Sequence, residues 1–295
     1  MNRLLLQGLA VLVGIVAVGV AAVAGLSWVG ATRWAEATAA LHRQLDAAQV
    51  KPAAPRHFSA SAPDLAGLPA PVQRYLRAAL TDGQRRVSSM DMAQTGTMDF
   101  GERTPRWLPF HATERATTDR PGFVWDAAVR MLPGVVVRVH DAYVAGEGRL
   151  HPAVFGLFSL ADARDTGGAL AQGELLHFLA EAPWYPTALL PGPNLRWEPV
   201  DDRSARVTLR DGATAVTMTF RFGDDGMVES MRAEARGRLV DGRSVPTVWE
   251  GRWTEYGVRD GMRVPLAGEV AWRLPEGLKP YWRGRVTRLD YTFED

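Results

Sequence analysis

The sequence predicts a mostly β protein of the α+β kind: a large curved antiparallel sheet, or half-open barrel, carrying a short helical insert and preceded by an N-terminal transmembrane helix. Three observations predict it. Apolar and polar residues alternate with period two over most of the chain beyond Val87. Asp-Gly pairs separate consecutive alternating runs. An almost unbroken apolar run opens the chain.

That run extends from Leu4 to Val29 and is interrupted only by Gln7 and Ser27. As a helix it exceeds a hydrocarbon core of about 30 Å, and it has no polar stripe with which to sit on a soluble core. Two readings stay open: an uncleaved anchor, or a signal peptide cut after Ala22-Val23-Ala24, with the length favouring the anchor. Arg3 lies on one side of the run and Arg33, Arg43 and Lys51 on the other. The short amino-terminal tail argues for retention inside, with the rest of the chain exported. The expected location is a bacterial inner membrane with the domain on the periplasmic or extracytoplasmic side.

Residues 1–33 are assigned to this anchor or signal segment. Residues 34–67 follow as a juxtamembrane helix, Ala-rich with Leu41 and Leu45 at i, i+4, and a Pro/Ala-rich linker from Lys51 to Pro63. Trp28 and Trp34 are expected at the bilayer interface. A single β domain then fills 68–295. It begins with a short amphipathic helix, where Pro71 sits in the first turn and Val72, Tyr75, Leu76 and Leu80 share a face.

Within the domain, Val216, Met218, Phe220 and Phe222 oppose Thr217, Thr219 and Arg221, and Val207-Leu209 and Val264-Leu266 behave likewise. Such strands have one buried and one wet face. Asp211-Gly212, Asp225-Gly226, Asp241-Gly242 and Asp260-Gly261 supply the positive φ of tight hairpins and imply a meander. Further strands are expected over Arg106–Thr118, Gly122–Leu132 and Val135–Val144. The helical insert near 168–191 has Leu175, Leu176, Phe178 and Leu179 at helical spacing, then Pro183-Trp184-Tyr185-Pro186.

Composition narrows function mainly by exclusion. With 34 Lys+Arg against 33 Asp+Glu, no basic field exists to hold nucleic acid. Cysteine is absent, which removes disulfides, thiolate metal sites and cysteine nucleophiles. No serine elbow and no phosphate-cradling glycine loop occurs. Glu174, His177 and Glu181 fall on one helical face, and a Glu-x-x-His pair is a metal-ligand pattern in di-iron bundles. A second such pair is missing, so a polar helix face is the preferred reading, with neither metal nor cofactor expected. His140 and Asp141 are adjacent on a strand and point to opposite faces.

The aromatic load is the main positive signal. Trp125, Trp184, Tyr185, Trp197, Trp249, Trp253, Trp272 and Trp282, with Arg283, are the expected ligand-binding set. The rings would line an apolar cavity, Trp184-Tyr185 would stand at its mouth, and Arg283 would meet an anionic headgroup. The plainer accounts are a filled core, and surface pairing of Arg283 and Arg285 with Glu250, Glu255 or Glu269.

Several phrases carry a resemblance. Leu68-Pro69-x-Pro71-Val72-x-Arg74-Tyr75-Leu76, Gly122-Phe123-Val124-Trp125, Phe178 through Leu189, Arg196-Trp197-Glu198, Trp249-Glu250-Gly251 and Tyr281-Trp282-Arg283-Gly284 resemble an uncharacterised family of bacterial proteins with an amino-terminal membrane segment. The resemblance runs from Leu68 to the carboxyl terminus and brings no activity with it. The layout is also similar to the periplasmic lipoprotein-carrier half-barrel with its helical lid. The function expected is therefore non-catalytic: an envelope protein that binds or carries a hydrophobic or amphiphilic, lipid-like ligand. A structural or protein-interaction module is the alternative, and an enzyme ranks third.

Overall fold

The computed structural model describes residues 3–295 apart from 51, 62, 102 and 103. Four α-helices run over Arg3–Ala47 (α1), Pro63–Ala66 (α2), Ala70–Ala79 (α3) and Ala169–Glu181 (α4). The strands before α4 are Val87–Asp99 (β1), Trp107–Thr117 (β2), Gly122–Leu132 (β3), Val135–Val144 (β4), Glu147–Val154 (β5), Phe158–Ser159 (β6) and Ala163–Thr166 (β7). Those after it are Leu195–Asp201 (β8), Ser204–Asp211 (β9), Thr214–Phe222 (β10), Val228–Val240 (β11), Arg243–Arg259 (β12), Met262–Leu274 (β13) and Gly277–Phe293 (β14).

All fourteen strands among the described residues belong to one antiparallel sheet, ordered β6-β5-β4-β3-β2-β1-β14-β13-β12-β11-β10-β9-β8, with β7 paired to β5. Consecutive hairpins build each half, and the pairing of β1 with β14 joins the halves. The Asp-Gly signals sit at these hairpins. Asp241-Gly242 and Asp260-Gly261 both have positive φ at both residues, as a type I′ turn between twisted strands requires.

The sheet is open but strongly curled. Tyr143 on β4 donates to Asp211 at the β9–β10 turn (3.0 Å), and Arg120 from the β2–β3 turn pairs with the same carboxylate (3.0 Å), although these strands are remote in sheet order. Curling leaves one large interior, filled by Phe110, Phe123, Tyr143, Phe220, Phe222 and Met231 from the strands and by the inserted helix. α3 closes part of it with Val72, Tyr75, Leu76 and Ala79. α4 touches β3, β4, β5 and β7 on one side and β10 and β11 on the other, so it bridges the two flanks of the curl.

The juxtamembrane helix forms as expected, but it and the Pro/Ala-rich stretch pack on the domain more closely than an interfacial helix and a linker would. The juxtamembrane helix is the unbroken continuation of the apolar one. Its buried stripe, Gly30, Trp34, Thr38, Leu41 and Leu45, lies on the convex face of β3 and β4. Trp34 is consequently buried under the sheet, stacked on His140 at 3.9 Å, while Trp28 is exposed. A β-carbon at Gly30 would collide with the Phe155 carbonyl, so only glycine permits this approach. The Pro/Ala-rich stretch, in turn, is tied down: Phe58 is buried, and Arg56 pairs with Asp119 (2.6 Å) and Glu294.

Candidate functional site

Inside the curl is a cavity of about 540 Å³. Trp125, Trp249, Trp253, Trp272, Trp282, Tyr281, Met98, Leu170 and Val270 stand in its apolar wall, and Asp141, Glu174, His177, Glu181 and Arg236 form a polar patch in it. Strand alternation aims the rings inward, since Trp249 and Trp253 stand four residues apart on β12. Trp282 and Tyr281 are adjacent yet both line the cavity. A register shift opposite Val270 and Ala271 allows this, because Trp282 and Pro280 take ladder partners and Tyr281 falls in the bulge between them.

α4 carries the polar wall. The Asp165 carboxylate accepts from the backbone N–H groups of Leu170 (2.9 Å) and Ala171 (2.7 Å), which supplies the cap that Gly168 lacks. The helix is buried nearly all round because it lies within the sheet's concavity. The Glu174-His177-Glu181 face therefore looks into the protein rather than into water. Opposite it, β4 turns Asp141 inward and His140 outward, as adjacent strand residues must.

These groups meet closely. His177 Nδ1 lies 3.2 Å from Asp141 Oδ2 and 3.6 Å from Glu174 Oε2, and its Nε2 lies 3.1 Å from Glu181 Oε1. Arg236 reaches Glu174 Oε2 at 3.4 Å, donates to the Tyr281 hydroxyl at 3.3 Å and lies over the Trp249 ring at 4.3 Å. Trp249 Nε1 donates to the same hydroxyl at 2.9 Å. Asp141, Glu174 and His177 each turn one potential metal-donor atom to a common point, all within 4.8 Å of one another.

Burial and charge set the protonation states. Desolvation, then the charge of Asp141, pushes Glu174 up to about 8. Desolvation and the neighbouring Glu181 hold Glu114 well above the usual carboxylate range. Burial would lower His177, but the carboxylates of Glu181, Asp141 and Glu174 outweigh it and keep the imidazole cationic above its ordinary range. Burial would raise Asp141, yet His177, Glu174 and Arg236 hold it low. At neutral pH an ionised Asp141 thus faces two cations beside a protonated Glu174.

Of the residues expected to bind ligand, Trp125, Trp249, Trp253, Trp272 and Trp282 converge on the cavity and the others do not. Trp184 and Tyr185 stand in the packed core, not at a mouth. Trp184 donates to the Pro265 carbonyl (2.9 Å) and meets the Trp253 ring edge-on at 4.8 Å from behind. Tyr185 donates to the Phe178 carbonyl (2.7 Å). Trp197 packs on Phe220 and Phe222 and donates to the Leu189 carbonyl. Arg283 is on the convex face, paired with Glu269 (2.7 Å) and lying over Trp107. Arg285 pairs with Glu255, and Arg273 and Arg232 share Glu250.

His140 does not join Asp141, His177 and Glu181. The residues that sequence reasoning passed over are Glu114, Arg236 and Tyr281. Glu114 had a signal: it shares the inward parity of Phe110, Ala112 and Ala116, where a carboxylate is out of place. Arg236 had none, because the β11 register breaks between Ala233 and Arg236.

Residues 66–291 match a family described as "Family of unknown function (DUF6920)". No curated protein is significantly similar in sequence. Among solved structures, a LolA superfamily protein from Nitrosomonas europaea is similar at 11% identity and TM-score 0.34, covering 75% of this chain and 92% of that one. A putative outer membrane lipoprotein-sorting protein domain from Vibrio parahaemolyticus gives 8%, 0.35, 69% and 85%. A DUF1329 family protein from Desulfovibrio piger gives 10%, 0.36, 70% and 86%. Likenesses of this size say nothing about ligand or activity.

Proposed function

For this chain, which belongs to the DUF6920 family of unknown function, we propose a membrane-anchored, envelope-located protein that binds a hydrophobic or amphiphilic, lipid-like molecule in the cavity beneath α4. The observation that carries this reading is where the cavity opens. Among its exposed lining residues, Ala161 and Ala163 on one side and Leu239, Gly242 and Ser244 on the other form two lips at one end of the sheet. Antiparallel alternation puts the Pro133-Gly134, Phe155–Leu157 and Asp241-Gly242 turns at that same end.

The apolar part of α1 leaves the domain there. Leu157 packs beside Gly30, and a β-carbon on Gly134 would lie 3.6 Å from Val23. Leu132, Phe158, Leu160 and Leu239, all more than half exposed, ring this end. An apolar segment long enough to cross a bilayer thus departs beside an apolar mouth. An acyl chain leaving the membrane would enter without crossing water. Its length would lie along the tryptophans, and its polar end would meet Asp141, His177 and Arg236. The volume lies within the roughly 300–1,000 Å³ of small-molecule sites.

Native mass spectrometry of the full chain, stripped of detergent in the gas phase, tests the reading. The expected result is one lipid-mass adduct retained at activation energies that remove annular lipid. Gly173→Trp, which fills the cavity from α4, should abolish it. A chain that keeps no adduct, or keeps it equally with Gly173→Trp, would overturn the proposal and direct attention to a protein-interaction role.

A further inference from the structure

The geometry points to a divalent transition-metal site on the polar wall of the cavity, with Asp141, Glu174 and His177 Nδ1 as its protein ligands. A first-row ion bonded to nitrogen and oxygen at about 2.0–2.2 Å in tetrahedral geometry holds its ligand atoms roughly 3.3–3.6 Å apart. The 3.2 Å and 3.6 Å separations between His177 Nδ1 and its two carboxylate neighbours are close to that spacing before any ion enters. Neither His177 Nδ1 nor Asp141 Oδ1 has an aligned hydrogen-bond partner, although the imidazole and the carboxylate attract each other as charges.

The surroundings are those of a ligand set. The other His177 nitrogen faces Glu181 at 3.1 Å, and a carboxylate in this place fixes the ring and strengthens a ligating imidazole. Arg236 meets the same Glu174 Oε2 at 3.4 Å and holds that carboxylate in place. A separate observation comes from β2. Glu114 is 2% exposed, neither of its carboxyl oxygens has a hydrogen-bond partner, and it stands beside Glu181. The carboxyl groups of Glu114, Asp141, Glu174 and Glu181 therefore gather around His177, and Arg236 reaches only Glu174 among them by a direct contact. Buried acids without donors either hold a proton or are answered by a cation.

The three ligands come from one strand and one helix, and the cavity lies on their open side. An ion there would keep a coordination position for water or for an anionic group of a bound molecule. One imidazole with two carboxylates favours zinc, manganese or ferrous iron over calcium or magnesium, which prefer all-oxygen sets. The site does not depend on the lipid reading, because an ion would occupy it in an empty cavity.

The test uses the full chain in detergent, treated with chelator and then titrated with Zn²⁺ and Mn²⁺, with bound metal counted by elemental mass spectrometry. One ion per chain is expected, lost in His177→Gln and Asp141→Asn and kept in His140→Gln, whose side chain is on the other face of β4. Glu181→Gln should weaken binding roughly 10–100-fold, as loss of a carboxylate behind a ligating histidine does. Co²⁺ substitution of the wild-type chain should give visible d–d absorption that Glu181→Gln, which keeps all three ligands, shifts. No stoichiometric metal in the wild-type chain, or equal binding in His177→Gln and His140→Gln, would overturn the inference. A retained lipid adduct with no metal would remove this site and leave the proposed function standing.

Discussion

His140 and Asp141 show how much one peptide unit decides. Asp141 looks into the cavity, whereas His140 lies under α1. Its ring stacks on Trp34 and its Nε2 meets the Thr38 hydroxyl at 2.7 Å. Asp126 completes the cluster, accepting from Trp34 Nε1 and from the Thr38 hydroxyl at 2.8 Å each. Burial, helped by nearby Arg149 and His151, pushes His140 down to about 3 from an ordinary 6.5. The unfolded or undocked chain then binds the proton more readily than the docked one. The stability this histidine lends is complete above about pH 6.5 and is lost as pH falls from there toward 3. Hydrogen-exchange protection factors over α1, β3 and β4 should fall between pH 7 and 4, more than over β9 and β10. In His140→Gln the excess should disappear.

At the scale of elements, α1 has two different jobs along one helix. Residues 9–26 are exposed on every side and strongly apolar, while the stretch from Gly30 to Leu45 keeps one stripe on the sheet. Leu41 and Leu45 pack with Val124 and Ala142 in a small cluster of their own, separate from the main interior. This docking fixes the direction in which the apolar segment leaves the domain. Gly30→Leu should pry the helix from the Phe155–Leu157 turn, since backbone, not a movable side chain, blocks the new atoms. The expected cost is about 1–3 kcal/mol, localised at the helix. Tryptic cleavage after Arg33 and Arg43 should rise severalfold in this variant while the β domain remains resistant. Unchanged cleavage would mean that α1 is not held by this contact.

At the scale of the whole molecule, the curl, the inserted helix and the docked helix together place the mouth and the apolar segment at one end. The chain lacks cysteine, so single-cysteine labelling can test whether that end meets a bilayer. Bimane attached at Phe158→Cys or Leu160→Cys should shift to the blue in liposomes. The same dye at Val200→Cys, exposed on the opposite edge strand β8, should not. Equal behaviour at all three positions would count against a membrane-facing mouth.

The legible part of this protein is what neighbouring residues encode. Period-two alternation marks the β10, β9 and β13 strands and their inward faces. The Asp-Gly pairs mark hairpins, since positive φ is a local demand that few residues meet. The apolar run reads as a long helix from composition alone, and Gly168–Leu190 reads as the insert from helical spacing. The site was half legible. The Glu174-His177-Glu181 face and the inward tryptophans of β3, β12, β13 and β14 follow from period. Their common cavity does not, and neither does the packed position of Trp184, Tyr185 and Trp197. Tyr281 and Arg236 enter through register shifts, which break the parity that sequence reasoning relies on.

By itself, then, the sequence determined the fold class, the order of the strands along the chain and the apolar entry helix, because each depends on residues within a few positions of one another. Tertiary structure alone decided which face of α4 is interior, that Asp141 meets His177 while His140 meets Trp34, and that the inward tryptophans share one cavity. Those outcomes depend on how far a fourteen-stranded sheet curls before its flanks meet a helix. That is a sum of small twists and bulges over the whole chain, and no single segment of it carries the answer.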